Sequence, residues 1–343
     1  MSLILIIQYN KHKKTTAPPN KPLPPHTKPF WWRKTYKYKK ITTKTTQHEP
    51  PRPHTNTMSI RIEIKENHHA NLFVSLFQHI HLFTEQVNLL FEEDRVFMQT
   101  MDTAHVSILE LTIPKEWFSL YENKHSIQIG LNTKHLYTIL NIREENQHII
   151  LSYNEETDYL FIDFVNGGDN ALAPTATPTP APATPTVVAS KDGNKHNKTF
   201  EIPLCNVENE TMNIPEREYE VEFAMSSVSF FKNIQQLKKF GDNIDMFLNE
   251  EKIIMSSEKE CKMNVIIGVD DLNEFSINEG VDIKISFSLK QLYNICLYNG
   301  LSKEVIILVS KNYPLKIIHR CLDGLVFLFY LAPKMTDDDD NEA

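Results

Sequence analysis

The side chains best suited to chemistry in this sequence are lysines, and the chemistry they suit is contact with phosphate. Lys232, Gln236 and Lys239 recur at i, i+4 and i+7, which places them on one side of a helix, opposite Phe231 and Ile234. Lys238 lies beside them. Lys134, Thr138 and Asn141 share a face upstream, and Lys290 takes the equivalent place in a second short segment. On spacing alone these are the solvated lysines of amphipathic helices. Other candidates are weaker. His68-His69 and His79/His81 lack the i, i+4 spacing of a helical metal pair, and Asp337 to Asp340 read as a solvated acidic run. The chain has 9 glycines, with no phosphate-binding loop, no GxGxxG and no GxSxG nucleophile elbow. No catalytic residue, metal site or cofactor is therefore expected. A cationic and aromatic stretch, Phe30-Trp31-Trp32-Arg33-Lys34 and its neighbours in 28–40, has the composition to stack on bases and neutralise phosphates. A nuclear-import signal, a membrane-surface segment and an inert extension fit it as well.

Charge is segregated along the chain. Residues 1–57 hold ten Lys and two Arg against one acid, Glu49, whereas 58–343 hold 24 basic and 43 acidic residues, a net of -19. A body this acidic meets nucleic acid only if its few cations gather on one surface. Cys205, Cys261, Cys296 and Cys321 lie far apart without CxxC pairing, so reduced thiols are expected. No apolar run reaches the length of a membrane span, and Met1 to Ile7 lacks the basic start and the length of a secretory signal core. A soluble intracellular protein without membrane contact is the expectation.

The elements that must position those lysines follow from periodicity. Alternation at Ile62/Ile64, at Tyr219/Val221/Phe223 and at Val281/Ile283/Ile285/Phe287 predicts half-buried antiparallel strands. Leu72, Phe73, Leu76, Phe77 and Ile80 predict a helix over 70–81, and Phe230, Phe231, Ile234 and Leu237 predict one over 228–240. An internal repeat joins the halves. Lys134-His135-Leu136-Tyr137-Thr138-Ile139-Leu140 returns as Lys290-Gln291-Leu292-Tyr293-Asn294-Ile295-Cys296, each followed by a strand at 149–151 or 305–309. The expected class is α+β with two similar domains, 58–164 and 215–335. Between them, 165–214 carries an Ala/Pro/Thr-rich insert (166–198), a strand and a connector. A disordered basic extension (1–57) precedes the domains, Met58 standing at the start of the folded part, and an acidic tail (336–343) follows them.

Four segments carry a resemblance. Met101-Asp102-Thr103-Ala104-His105-Val106-Ser107-Ile108 is similar to the strand-and-loop motif of the proliferating cell nuclear antigen family of DNA sliding clamps. Ile214-Pro215-Glu216-Arg217-Glu218-Tyr219 resembles the end of that family's interdomain connector, and Phe240-Gly241-Asp242 the end of its second long helix. Phe329-Tyr330-Leu331-Ala332-Pro333-Lys334, followed by acids, resembles its C-terminus. Together they span about 58–343 apart from the insert. The resemblance implies a homotrimeric ring with helices lining a pore, sheets forming the outer wall and encircled double-stranded DNA read without sequence preference. It turns Lys134, Lys232, Lys238, Lys239 and Lys290 into pore residues, and it implies a non-enzymatic processivity factor for DNA polymerase.

The same resemblance implies a pocket beside the connector where client peptides seat apolar anchors, built from Met101, His105, Val106, Ile108, Met212, Ile214, Pro314, Tyr330, Ala332 and Pro333. Clients would include the polymerase, a clamp loader, flap endonuclease and ligase. The subunit seam is expected between strand 199–204 and the edge 262–268 of a neighbour, through Phe200, Ile202, Met263, Val265 and Ile267, with Pro203 at a strand end because it lacks a donor. Two departures stand out: Val74, Ser75 and His81 occupy positions where the family carries lysines, and Glu250 falls on its ubiquitin-accepting lysine. Two other readings stay open, a subunit of a checkpoint-type heterotrimeric clamp and a monomeric processivity factor that binds DNA through the basic arm. The implied location is the nucleus, or a cytoplasmic viral replication site, since Asn-, Ile- and Lys-rich usage fits a large DNA virus.

Overall fold

The computed structural model describes residues 58–167, 196–208, 211–311 and 313–334. The expected basic extension with its aromatic stretch, nearly all of the Ala/Pro/Thr-rich insert and the acidic tail lie outside the described residues.

The first half runs β1 (Ile60–Ile64), α1 (Asn67–Phe83), β2 (Gln86–Phe91), β3 (Arg95–Met101), β4 (Ser107–Pro114), β5 (Leu120–Asn123), β6 (Ile127–Asn132), α2 (Thr133–Leu140), β7 (Gln147–Tyr153), β8 (Tyr159–Asn166) and β9 (Lys198–Pro203). The second half runs β10 (Val221–Ser226), α3 (Ser227–Leu237), β11 (Asn243–Leu248), β12 (Lys252–Glu258), β13 (Lys262–Gly268), β14 (Glu274–Ile277), β15 (Ile283–Ser288), α4 (Leu289–Cys296), β16 (Glu304–Val309), β17 (Leu315–Arg320) and β18 (Val326–Leu331). The order is the same in both: strand, helix, five strands, helix, three strands. The short repeat at 134–140 and 290–296 is the second helix of each half.

Among the described residues all strand pairs are antiparallel and form three sheets. The first half holds β5-β1-β7-β8-β9 and the second half β13-β12-β11-β15. A nine-stranded sheet, β14-β10-β16-β17-β18-β4-β3-β2-β6, crosses between the halves where Val326 to Leu331 pair with Thr112 to Ser107. Alternation explains the faces: in β3 every second residue is buried, and in β13 Met263, Val265 and Ile267 face inward while Lys262, Asn264 and Ile266 face out.

Helices cover the inner faces. Phe73, Leu76, Phe77 and Ile80 bury one side of α1, and Phe230, Ile234 and Leu237 do so for α3. Asn132 caps α2 by accepting from the His135 amide, and Ser226 caps α3 by accepting from Ser229. Helix α1 is longer than the periodicity predicts. Helix α3 is shorter: it ends at Leu237, and Lys238 and Lys239 occupy the turn that follows, held by amide bonds to Ile234 and Gln236 carbonyls. Two predicted strands start later than expected, since Tyr219 precedes β10 and Val281 precedes β15. In both cases apolar alternation continues into a loop whose side chains pack against the domain. The four cysteines are free thiols, and none of the described helices is long and apolar enough to cross a membrane.

His319 is a buried titratable group. It is 2% exposed on β17, within 2.8 Å of Ser302 Oγ, and burial pushes its pKa down to about 4. The unfolded chain then binds the extra proton first, so the stability is fully present above the ordinary histidine value and falls as pH drops toward 4. Urea unfolding is expected to show a loss of about 2 kcal/mol between pH 7 and pH 5 from this residue. His319→Gln should flatten that slope; an unchanged slope would remove the assignment.

Candidate functional site

Helix α1 packs on α2, and α3 on α4; the pairs meet where α1 touches the Leu297–Gly300 turn after α4. The layer carries the expected cations. Lys134 on α2, Lys232 on α3, Lys290 on α4 and Lys238 and Lys239 just after α3 are all exposed. Lys238 Nζ stands 3.8 Å from the centre of the Tyr293 ring, which ties the end of α3 to α4. Helix α1 contributes no Lys or Arg at all. Val74, Ser75 and His81 are half-buried on it, and His81 stacks on Tyr137 of α2 at 4.5 Å. Positive charge on this layer is therefore concentrated in the second half.

The expected pocket forms where the connector crosses the outer face of the nine-stranded sheet. Asp102, only 6% exposed, builds the loop between β3 and β4, its Oδ1 accepting from the Val106 and Ser107 amides at 2.9 and 2.8 Å. This turn holds His105 at φ 58° and places its Nδ1 3.0 Å from Met101 Sδ. The connector is tied down at successive points. Cys205 N donates to Gly130 O, and a Cβ on Gly130 would fall 2.1 Å from the Cys205 carbonyl, so only glycine admits this approach. Asn88 donates to Val207 O, Gln99 exchanges two hydrogen bonds with the Met212 backbone, and Tyr313 Oη donates to Pro215 O at 2.9 Å. Ala332 N donates to Val106 O, which brings the C-terminal segment against the loop.

Of the ten expected pocket residues, Met101, Val106, Met212, Ile214, Ala332 and Pro333 are half-buried, His105 is exposed, and Tyr330 and Pro314 are buried. Ile108 is 1% exposed and pairs directly with Tyr330, so it shares that residue's face of the sheet, opposite the core-facing Leu109, Leu111 and Ile113. A cavity of about 130 Å³ lies alongside, lined by Ile214, Pro215, Glu216, Arg217, Tyr219, Tyr313, Lys316 and Tyr330. Sequence reasoning missed Arg217, Tyr219, Tyr313 and Lys316 as wall residues. The one signal was register: Lys316 pairs directly with Tyr330. Burial raises the pKa of Tyr219, Tyr313 and Tyr330 above the ordinary phenol value, with the Glu110 and Glu216 charges adding at Tyr330 and Arg217 opposing at Tyr313. All three stay neutral hydrogen-bond donors near pH 7.

The expected seam strands are both sheet edges, β9 in the five-stranded sheet and β13 in the four-stranded one. Pro203 ends β9, where no donor is required. Phe200, Met263 and Val265 are half-buried, whereas Ile202 at 1% and Ile267 at 8% already belong to their own domain cores. For those two the seam assignment is corrected: they share a face with Phe200 or with Met263 and Val265, but their own core already covers them. Glu250 is exposed between β11 and β12, with its carboxylate accepting from Gly280 N.

One association was invisible in the spacing. His68, His69 and Asp323 offer ligand atoms within 4.8 Å of one another. His69 Nε2 already bonds Asp323 Oδ2 at 2.7 Å and its ring lies 4.4 Å from that of Trp117, so the group joins the start of α1 to the turn between β17 and β18. A helix start is an unfavourable place for a cation, and the hydrogen bond accounts for the cluster.

Two topologically repeated halves, a shared sheet, a cationic helix layer and a connector across the outer wall define a two-domain DNA clamp. Residues 62–174 match the N-terminal domain of proliferating cell nuclear antigen and residues 213–334 its C-terminal domain. The chain belongs to the proliferating cell nuclear antigen family, whose members are non-enzymatic, DNA-encircling clamps that form trimers and bind replication proteins. It is 24% identical over 277 residues to proliferating cell nuclear antigen 2 of Plasmodium falciparum, covering 78% of this chain and 97% of that protein. To the Caenorhabditis elegans protein it is 23% identical over 255 residues, covering 72% and 87%. The fold matches the crystal structure of proliferating cellular nuclear antigen from Entamoeba histolytica with a TM-score of 0.67 at 21% identity, over 81% of this chain and all of that one. The clamp from Thermococcus kodakaraensis matches with a TM-score of 0.66 at 17% identity, over 80% and 100%.

Proposed function

We propose that three copies of this chain close head to tail around double-stranded DNA and act as a processivity factor, keeping DNA polymerase and other docked clients on the template. One observation carries the reading. Within the chain, β18 of the second half pairs with β4 of the first. The repeated element order makes β9 the counterpart of β18 and β13 the counterpart of β4, and both β9 and β13 stand at sheet edges. Pairing β9 with β13 of a neighbour gives β15-β11-β12-β13-β9-β8-β7-β1-β5, a nine-stranded sheet with the same order of equivalent strands as the internal one. Such a contact is heterologous and repeats from chain to chain until it closes, and it pairs the β9 and β13 edges. Matching edges on one chain favour a homotrimer over a heterotrimeric checkpoint-type clamp.

In the ring the exposed lysines of the helix layer face the duplex and neutralise phosphate without reading bases. Topological linkage then keeps clients at high effective concentration. The polymerase, the loader, a flap endonuclease and a ligase are proposed to dock by peptides at the connector pocket. Loading is assigned to a separate ATP-driven loader, because the sequence has no nucleotide-binding motif. The test loads the protein on nicked circular DNA with a clamp loader and ATP and follows its retention before and after linearisation with a restriction enzyme. The protein should stay on the circle and run off the cut molecule. Lys232→Glu, Lys238→Glu and Lys239→Glu together should lower retention on the circle at least tenfold, since each change counts three times and replaces attraction by repulsion. Equal retention on circular and linear DNA would contradict encirclement.

A further inference from the structure

We propose that Arg217 and Lys316 make the connector pocket selective for client peptides that carry a carboxylate beside their apolar anchors. The inference rests on the docking reading above and names the chemistry of the partner. Cations are scarce in residues 58–343, which carry a net charge of -19, and yet two of them line one small cavity. Arg217 is exposed and Lys316 half-buried. Among the described residues neither makes a salt bridge or a side-chain hydrogen bond. Each is held over an aromatic face instead. The Arg217 guanidinium carbon lies 5.3 Å from the Tyr313 ring centre, and Lys316 Nζ lies 5.6 Å from that of Tyr330.

A ring face holds a cation in place without using up its N–H donors, so both groups keep donors free for an incoming acceptor. The carboxylates nearby do not cancel them. Glu216 is the one acid lining the cavity, and Glu110 receives Gln99 Nε2 at 2.7 Å. The hydroxyls of Tyr219 and Tyr313 are spent on the Pro314 and Pro215 carbonyls. The three rings therefore present apolar surface for an anchor, and the charged groups lining the cavity are two cations against the single carboxylate of Glu216. A planar guanidinium favours a carboxylate in bidentate contact, and a neighbouring ammonium strengthens the preference.

The experiment uses the full chain and two fluorescein-labelled synthetic peptides. Both contain one leucine and two phenylalanine anchors, and they differ only in flanking residues, aspartate in one and lysine in the other. Fluorescence anisotropy at moderate salt should give about fivefold tighter binding of the aspartate peptide, the upper range for an ion pair at a solvent-facing rim, with the margin shrinking as salt is raised. Arg217→Glu with Lys316→Glu should reverse the order. Tyr330→Ala should weaken both peptides. If both bind the wild type alike, or the lysine peptide binds better, while Tyr330→Ala still weakens them, the selectivity is overturned and the pocket stands. If neither binds, the pocket reading falls with it.

Discussion

A chain carrying Met263→Asp and Val265→Asp is expected to run as a folded monomer and to lose all retention on circular DNA. Both side chains are half-buried at the free edge β13, on the face that a neighbour's β9 and its Phe200 would close over. Within one chain an aspartate there keeps partial access to water, so the fold survives. In the ring the same carboxylate is enclosed beside apolar surface without a partner. An unpaired ionised group in that setting costs several kcal/mol, and the ring has the same seam three times. Light scattering reads the mass, and an unchanged melting temperature separates loss of assembly from loss of fold. A trimer that persists in this variant would place the seam elsewhere.

Tyr330→Ala is expected to weaken client peptides about thirtyfold or more while leaving assembly and DNA retention intact. Tyr330 is 6% exposed, pairs with Ile108 across the β18–β4 ladder and forms a wall of the cavity with Tyr219 and Tyr313. Removing a central aromatic anchor of an interface typically costs 2 kcal/mol or more, about a thirtyfold change in affinity. Tyr330→Phe keeps the ring and should cost little. Anisotropy with the peptides above, run beside polymerase stimulation on a primed circle, reads both effects. Loss of DNA retention in Tyr330→Ala would mean that the residue supports the ring rather than the clients.

The helices were legible because burial repeats every three to four residues in α1 and α3, and the lysines were legible because they avoid those positions. The ends were not. Phe240 sustains the apolar pattern beyond α3, but the chain has already turned at Lys238. Tyr219 alternates with Val221 yet belongs to the pocket, because its ring packs on Tyr313 at 5.4 Å instead of joining the ladder. The seam strands were legible through the family resemblance alone; Ile202 and Ile267 show that being apolar on an edge strand does not put a side chain at the edge. Arg217 and Lys316 come from segments 99 residues apart in number and meet only through sheet register and the connector's path. The His69 to Asp323 bond joins residues 254 apart. No local periodicity encodes such meetings, since they arise from the nine-stranded sheet that crosses the two halves.

The equivalence of β9 with β18 and of β13 with β4 makes ring closure the central claim, and the mass of the wild-type chain in solution tests it most directly. Size-exclusion chromatography with light scattering at low micromolar concentration and moderate salt should give one species near three times the 39.9 kDa of the chain. A species that stays at 39.9 kDa as concentration is raised would contradict self-closure and leave both edges waiting for a different partner.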